Sequence, residues 1–250
     1  MDITYYDIGL NLFTRSFPRP ERILADAAAD GICCILTGSE DRENRKVNDF
    51  VKRHDAYGTA GIHPHAADEE IRRIVTTNPR VVAVGETGLD YDRMYSTKEN
   101  QLHFFKELIA LAEELDKPMF LHERDAAHDF ISCFSGHEAI CSQSVVHCYT
   151  GDRKTLETLL DMGFYIGITG WICDERRADD LRDAVSILPL DRVLLETDAP
   201  YLTPRGFHLP RINVPNNIVY VAQTLASYMD VPVGDLIVQA KKNTETLFRL

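Results

Sequence analysis

The sequence predicts an α/β fold, a TIM-type (β/α)8 barrel, regular or distorted, with its active site at the carboxyl ends of the strands. Its 250 residues suit one such barrel or two smaller domains. Eight short apolar runs recur along the chain, and amphipathic segments separate them. A doubly wound open sheet is the alternative. Because no linker or change in composition divides the chain, we expect a single domain over residues 1–250.

The strands are indicated by runs that are almost continuously apolar, as expected of parallel strands buried on both faces. They are expected near residues 6–10, 32–36, 59–62, 81–85, 119–121, 145–147, 165–168 and 193–196. The clearest helix follows the residues STKE at 96–99, which form a capping box with Ser96 as the cap. Its apolar face consists of Leu102, Phe105, Leu108, Ile109, Ala112 and Leu115. Shorter helical patterns occupy residues 21–29, 68–75, 153–162 and 181–188.

The charge of the chain limits what it binds. Its 39 acidic residues outnumber its 27 basic ones and leave a net charge of −12. A coat protein for duplex nucleic acid is excluded, because such binding needs many contacts from Lys and Arg to phosphates. An enzyme that meets phosphate through a bound metal ion is compatible with this charge, because the ion dominates the local field.

Features of the whole chain indicate a cytoplasmic protein with no membrane partner. No stretch approaches the roughly 20 apolar residues that a membrane span needs, and the chain begins without an export signal. The six cysteines include no Cys-x-x-Cys pair. They fit buried free thiols in a reducing compartment.

Imidazoles and carboxylates stand at the ends of the predicted strands, where the strands of a barrel converge. These residues are His63, His65, Glu86, His122, His147 and Asp198. A carboxylate that ends a buried strand needs a cation or several hydrogen-bond donors. The last four of these side chains therefore predict a divalent-cation site. Taken singly, each imidazole could instead be a hydrogen-bonded core histidine, and Asp198 could cap a turn before Pro200.

Other residues predict contacts to a nucleic acid. In GIHPH at 61–65, the proline stiffens the backbone between His63 and His65, so that both could face one anion; a surface loop is the alternative. A cationic rim is predicted by Arg124, Arg176, Arg177, Arg205 and Arg211, of which Arg124 and Arg211 are the candidates for phosphate binding. Trp171 and Tyr201 are candidates for stacking on bases. The alternatives are a solvated helix start at 175–180 and packing of Tyr201 under its own loop.

Six short motifs carry a resemblance to a known family. They are DIGLNL at 7–12, GIHPH at 61–65, GETGLD at 85–90, HERD at 122–125, HCYTG at 147–151 and ETDAPY at 196–201. With these motifs the chain resembles, over nearly its whole length, the TatD family of metal-dependent deoxyribonucleases, within the amidohydrolase-like metal barrels.

The resemblance implies a cytoplasmic Mg²⁺-dependent nuclease that removes nucleotides from the 3′ end of single-stranded DNA, with RNA as a second candidate substrate. It implies that Glu86, His122 and His147 are metal ligands. Asp198 would lie at the metal, as a ligand or as the base that accepts the proton of the attacking water. His63 and His65 would contact the scissile phosphate or its neighbour.

Two departures from the family pattern refine these expectations. Many members end the first strand with His-x-His, where this chain has Gly9-Leu10-Asn11. We therefore expect one firmly held ion, with any second ion weak. In RINVP at 211–215, Val214 stands where the family usually has Glu. The two imidazoles suit Zn²⁺, Mn²⁺ or Ni²⁺, whereas phosphoryl chemistry with carboxylates suits Mg²⁺. We expect Mg²⁺ in the cell, and one of the other three ions could occupy a purified sample. A monomer is favoured.

Two other functions stay open at this point. A metal barrel of this kind could hydrolyse an amide or an ester, for example as an aminoacyl-tRNA deacylase. The chain could also be a quality-control partner of protein export with a vestigial site, although the joint presence of four metal-binding side chains argues against it.

Overall fold

The predicted TIM-type (β/α)8 barrel is confirmed by a computed structural model, which describes residues 2–61 and 68–250. Eight strands follow one another through one sheet in the order of the chain, and helices alternate with them. The strands are β1 Tyr5–Leu10, β2 Ile32–Leu36, β3 Tyr57–Ala60, β4 Val81–Asp90, β5 Met119–Arg124, β6 Ser144–Val146, β7 Tyr165–Ile168 and β8 Val193–Leu195. The helices are α1 Pro20–Ala29, α2 Asp41–Val51, α3 Asp68–Thr77, α4 Lys98–Glu114, α5 Ala127–Cys133, α6 Glu138–Cys141, α7 Arg153–Asp161, α8 Asp179–Ala184, α9 Ile218–Met229 and α10 Val233–Phe248.

Two strands are longer than the sequence predicts. We expected β4 to end at Gly85 and β5 at Leu121, but they continue to Asp90 and Arg124. Gly85 does not end its strand. Its φ of +146° suits glycine, and a Cβ atom there would collide with the backbone of Phe120 on β5. The glycine therefore permits a close approach of the two strands, and the residues after it continue the sheet.

The cap of α4 was assigned one residue too early. Thr97, not Ser96, is the N-cap, and its hydroxyl accepts a hydrogen bond from the backbone nitrogen of Asn100. Ser96 is held outside the helix because its carbonyl accepts a hydrogen bond from Gln101, at 3.0 Å. The predicted apolar face is otherwise correct, since Phe105, Leu108, Ile109 and Ala112 are buried.

Helices α2, α5, α6, α9 and α10 were not predicted. In α2 the reason is its polar sequence, since the buried face includes Asn44 and Asn48 beside only a few apolar residues. The side chain of Asn48 accepts a hydrogen bond from Asn78, 30 residues further along the chain. A pattern of hydrophobic residues does not record such polar burial.

The chain divides into two compact units, which we describe separately. The terminal unit comprises residues 2–36, 148–161 and 165–250, and the central unit comprises residues 37–61, 68–147 and 162–164. In the terminal unit α10 packs on β1 and β8, and its buried Asn243 donates to the carbonyls of Leu190 and Val193 at 2.8 Å. In the central unit Phe105, Phe130, Phe134 and Phe164 form an aromatic core. The single domain stays a prediction.

In the described part of the chain, no helix combines the length and the apolar character that crossing a bilayer requires.

Candidate metal centre

Glu86 lies at an irregularity in the central unit. Gly85 pairs with Phe120 and Thr87 with Leu121, so Glu86 is an extra residue of β4 with no partner on β5. Such a bulge redirects a side chain out of the regular alternation of a strand, and bulges are common beside active sites. The backbone nitrogen of Glu86 donates to the carbonyl of Gly38, at 2.7 Å, which fixes the bulge from the other side.

Two histidines come from the neighbouring strands of the same unit. His122 lies within β5, opposite Gly88 of β4. His147 follows β6 directly, and its backbone nitrogen donates to the carbonyl of Leu121 at 2.8 Å, so it is held as if the strand continued. The His147 ring is buried and stacks on Phe120, with ring centres 4.5 Å apart. Parallel pairing thus brings both imidazoles to the edge where Glu86 lies.

One carboxylate oxygen faces both imidazoles. The Oε1 atom of Glu86 lies 3.3 Å from Nδ1 of His122 and 3.1 Å from Nε2 of His147. The three donor atoms all lie within 4.8 Å of one another. Ligand atoms about 2.1 Å from one ion are about 3.0 to 3.4 Å apart for octahedral to tetrahedral angles. Both separations to Glu86 fit this range, so this Glu and two His suit a divalent cation.

The charges of this cluster support the same conclusion. Burial raises the pKa of Glu86, but the adjacent His147 and His122 outweigh burial and hold that pKa well below its usual value. Burial lowers the pKa of His122, but hydrogen bonds with Asp90 and Glu86 outweigh it and raise the pKa. The buried carboxylate therefore calls for positive charge, which a proton on an imidazole or a metal ion supplies.

Sequence reasoning assigned no role to Asp90, although it is part of the GETGLD motif. Its Oδ2 atom lies 3.2 Å from Nε2 of His122, the ring nitrogen that faces away from Glu86. Its Oδ1 atom accepts from the backbone nitrogens of Asp92 and Arg93, and its side chain is only 2% exposed. Metal-binding histidines commonly donate their other ring nitrogen to a carboxylate, which fixes the tautomer. Asp90 occupies that position here.

Asp198 lies in the terminal unit, after β8. Its backbone is in the left-handed region at φ 54°, which Asp tolerates better than most residues. Its Oδ1 atom accepts a hydrogen bond from Nδ2 of Asn11 at 2.7 Å. The preceding Thr197 is anchored by the buried Asp7, which accepts from its backbone nitrogen and its hydroxyl at 2.8 and 2.6 Å. The role of Asp198 at a metal stays a prediction.

The predicted phosphate-binding residues have different outcomes. His63 and His65 lie outside the described residues. Arg124 ends β5, and its guanidinium lies 3.8 Å from Asp92. Arg211 is exposed in the terminal unit, where it lines an open cleft. The roles of all four residues stay predictions.

Two local contacts next to the centre were not predicted from the sequence. At the turn before α5, Glu123 accepts the hydrogen bond from the backbone nitrogen of Ala126, at 2.7 Å. The left-handed backbone of Asp125 accompanies this turn. The sequence analysis also missed Asn44 of α2. Its side chain donates to the carbonyl of Gly61, at 2.7 Å, and so holds the residue that directly follows β3.

An eight-stranded barrel with a Glu and two His at its strand edge belongs to the class of metal-binding barrels in which catalytic groups come from several strands. Within that class, the model of the family described as TatD related DNase matches residues 6–249. The chain belongs to this family.

Named relatives and solved structures agree with this membership. The chain is 38% identical to the 3′-5′ ssDNA/RNA exonuclease TatD of Erwinia tasmaniensis, with 98% of this chain and 100% of the relative covered. It is also 38% identical to the protein of the same name from Klebsiella pneumoniae, with 97% of each chain covered. The solved structure of YjjV, a TatD homologue from Escherichia coli K12, is similar with a TM-score of 0.89, 28% identity and 100% of each chain covered.

Proposed function

We propose that the protein is a metal-dependent nuclease that removes nucleotides from the 3′ end of single-stranded DNA and RNA. The observation that carries the proposal is the cluster of Glu86, His122 and His147, whose donor atoms lie within 4.8 Å of one another. Its family and the names of its relatives supply the substrate class. The cluster supplies groups that phosphodiester hydrolysis with a divalent ion requires.

Glu86, His122 and His147 would hold the ion, Mg²⁺ in the cell and readily Zn²⁺, Mn²⁺ or Ni²⁺ in a purified sample. When bound, such an ion polarises a phosphoryl oxygen and makes a bound water more acidic. One firmly held ion is proposed, because Gly9 has no ligating side chain and Asn11 donates its amide nitrogen to Asp198.

The other residues of the chain would bind substrate and move protons. Asp198 would accept the proton of the attacking water, or serve as a further ligand; the hydrogen bond from Asn11 fixes the orientation of its carboxylate. His63 and His65 would donate hydrogen bonds to the scissile phosphate and neutralise charge that develops there. Arg124 and Arg211 would hold neighbouring phosphates. Asp90 would position His122 through its Nε2 atom.

The test is shortening of a 5′-labelled single-stranded oligonucleotide by purified protein that has been freed of metal and resupplied with Mg²⁺. Glu86→Ala is expected to abolish the reaction, whereas Glu107→Ala, which removes a carboxylate of α4 paired with His103, should not. Full activity of the Glu86 variant would contradict the proposal. Hydrolysis of aminoacyl-tRNA without cleavage of the oligonucleotide would instead favour the amide or ester alternative.

We also propose a cytoplasmic monomer that folds as one domain. All six cysteines are free thiols and four of them are buried, which suits a reducing compartment. Cell fractionation should place the protein in the cytoplasm, and light scattering of the purified protein should show a monomer. Unfolding should occur in a single cooperative transition. An export-dependent location, a stable dimer or two separate transitions would each contradict the corresponding part.

A further inference from the structure

An open cleft lies in the terminal unit, between the segment after β7 and the long loop after β8. Its volume is about 690 Å³, within the range of small-molecule sites. We call it the arginine cleft, because its lining includes Arg177, Arg205 and Arg211. Trp171 and Tyr201 also line it.

The cleft carries an excess of positive charge. The carboxylate of Asp174 is buried, and its Oδ2 atom lies 2.7 Å from Arg176, 3.0 Å from Arg177 and 3.3 Å from Arg205. Two of these guanidinium groups, those of Arg177 and Arg205, line the cleft together with Asp174 and Arg211, so its lining residues carry a formal charge of +2. This local charge contrasts with the −12 of the whole chain. An anion is the complementary ligand.

The arginines are held in place but keep donors for a ligand. The Nε atoms of Arg177 and Arg205 contact the carboxylate of Asp174. In the described part of the chain, these two contacts do not use the terminal guanidinium nitrogens, which can therefore donate to a ligand. The guanidinium of Arg177 also lies 3.6 Å from the centre of the Trp171 ring. Side chains that are already ordered lose less conformational entropy when they bind an anion.

Aromatic and apolar side chains of the cleft face solvent. Tyr201 is 56% exposed, Ile212 is 46% exposed and Phe207 is 37% exposed, which are high values for large hydrophobic residues. Exposed rings beside arginines are the combination that binds single-stranded nucleic acid, because the rings stack on bases and the arginines contact phosphates. A small inorganic anion would need no such rings.

Hydrogen bonds and close packing hold the loop after β8 that forms one wall of the cleft. The buried Asn213 donates to the carbonyls of Thr197 and Tyr201 at 3.0 and 2.7 Å, and so closes the base of the loop. Across the loop, the hydroxyl of Thr203 donates to the carbonyl of Arg211 at 2.9 Å. Gly170 packs directly against the backbone of Leu202, where a Cβ atom would collide. These contacts fix the course of the loop that carries Tyr201, Arg205 and Arg211.

We propose that the arginine cleft is a nucleotide subsite for single-stranded nucleic acid, in which Arg205 and its neighbours bind a backbone phosphate and Tyr201 and Trp171 stack on a base. The proposal rests on the proposed nuclease function for its substrate class. It adds a binding site in the terminal unit that the metal cluster of the central unit does not supply.

Trp171 provides the assay, because it is the only tryptophan of the chain. Its fluorescence is measured while pentathymidylate is added to the full-length protein. The buffer contains a chelator that removes divalent ions, so that binding is measured without cleavage. We expect saturable quenching. Arg205→Gln should weaken binding about tenfold and reduce the dependence of log affinity on log salt by about 0.7, the value for one phosphate contact to a single strand.

Matched variants separate the parts of the proposal. Tyr201→Ala should weaken binding about tenfold through lost stacking, and Tyr201→Phe should bind like the wild type. Arg22→Gln is the charge control, since Arg22 lies on α1 of the same unit and pairs with Asp26. The proposal would be overturned if the Arg205 and Arg22 variants bound pentathymidylate with equal affinity. It would also be overturned if inorganic phosphate quenched the fluorescence of Trp171 as strongly as pentathymidylate does.

The outcome is distinguishable from that of the proposed function. Quenching that depends on Arg205 and Tyr201, without any cleavage of the oligonucleotide under Mg²⁺, would refute the nuclease and support the subsite. Cleavage by the wild type together with unchanged binding of the Arg205 and Tyr201 variants would refute the subsite alone.

Discussion

Replacing Asp90 by Asn tests how the centre is positioned. With a metal ion bound, Nε2 of His122 would donate to Oδ2 of Asp90, 3.2 Å away, and the electron pair of Nδ1 would bind the ion beside Glu86. In the variant, the amide oxygen would take over the hydrogen bonds that Oδ1 now accepts from the backbone of Asp92 and Arg93. The amide nitrogen would then face Nε2 and donate to it. His122 would have to carry its proton on Nδ1, the atom that a metal ion needs.

The magnitude follows from this change of tautomer. Asp90 is almost completely buried, so water cannot replace its hydrogen bond to His122. Loss of a carboxylate that orients a metal-binding histidine typically weakens metal binding about tenfold to a hundredfold, or roughly 1.4 to 2.7 kcal/mol. Asp90→Asn preserves the size of the side chain, and therefore a large loss of folding stability is not expected to accompany the change.

The assay is calorimetric titration of Mn²⁺ into the full-length protein at neutral pH. Asp129→Asn is the matched control. It removes the same charge from α5 of the same unit, where Asp129 accepts from the hydroxyl of Tyr91 at 2.8 Å. We expect this control to bind Mn²⁺ like the wild type. If the Asp90 and Asp129 variants bind equally tightly, the reasoning about His122 is refuted.

Two further predictions concern the terminal unit. Asn213→Ala removes the hydrogen bonds to Thr197 and Tyr201 from a buried site, and should lower the free energy of unfolding by about 2 to 4 kcal/mol in urea titrations; an unchanged midpoint would contradict this role. Burial raises the pKa of Asp7 from 3.8 to about 7, against the hydrogen bonds from Thr197. Since the unfolded chain then loses this proton first, stability should fall between about pH 4 and pH 7, by roughly 4 kcal/mol from this residue. The free energy of unfolding of Asp7→Asn should lack that part of the pH dependence. An equal change with pH in the variant and in the wild type would refute this prediction.

The strands were predictable because their signal is local. A run such as Val81–Val84 is buried on both faces and is apolar at every position, so it can be recognised without knowing its partners. Helix α2 gives no comparable signal. Its buried Asn44 is satisfied by Gly61, which lies 17 residues away in sequence, and this pairing exists only in the folded chain. Polar residues with distant partners therefore explain why α2 was missed, but not α9, whose buried residues are all apolar.

The same distinction applies to the metal centre. Glu86, His122 and His147 were expected to meet because each follows or ends an apolar run, and the structure brings the three together. Their role as ligands stays a proposal. Asp90 could not be found in this way. Its place beside His122 depends on the bulge at Glu86, which shifts the register between β4 and β5, and residue types alone do not show a register shift.

The acidic character of the chain is compatible with a nucleic-acid substrate only if positive charge is concentrated where the substrate binds. At physiological salt, charges further apart than about 8 Å are largely screened, so the distant part of the −12 acts weakly on a bound strand. Direct contacts are screened less. Three guanidinium groups around Asp174 would present net positive charge at such distances. A long duplex would instead extend beyond this local positive charge, on a chain whose net charge is −12. The charge distribution therefore favours a short, single-stranded end over extended duplex, which is the selectivity that an exonuclease needs.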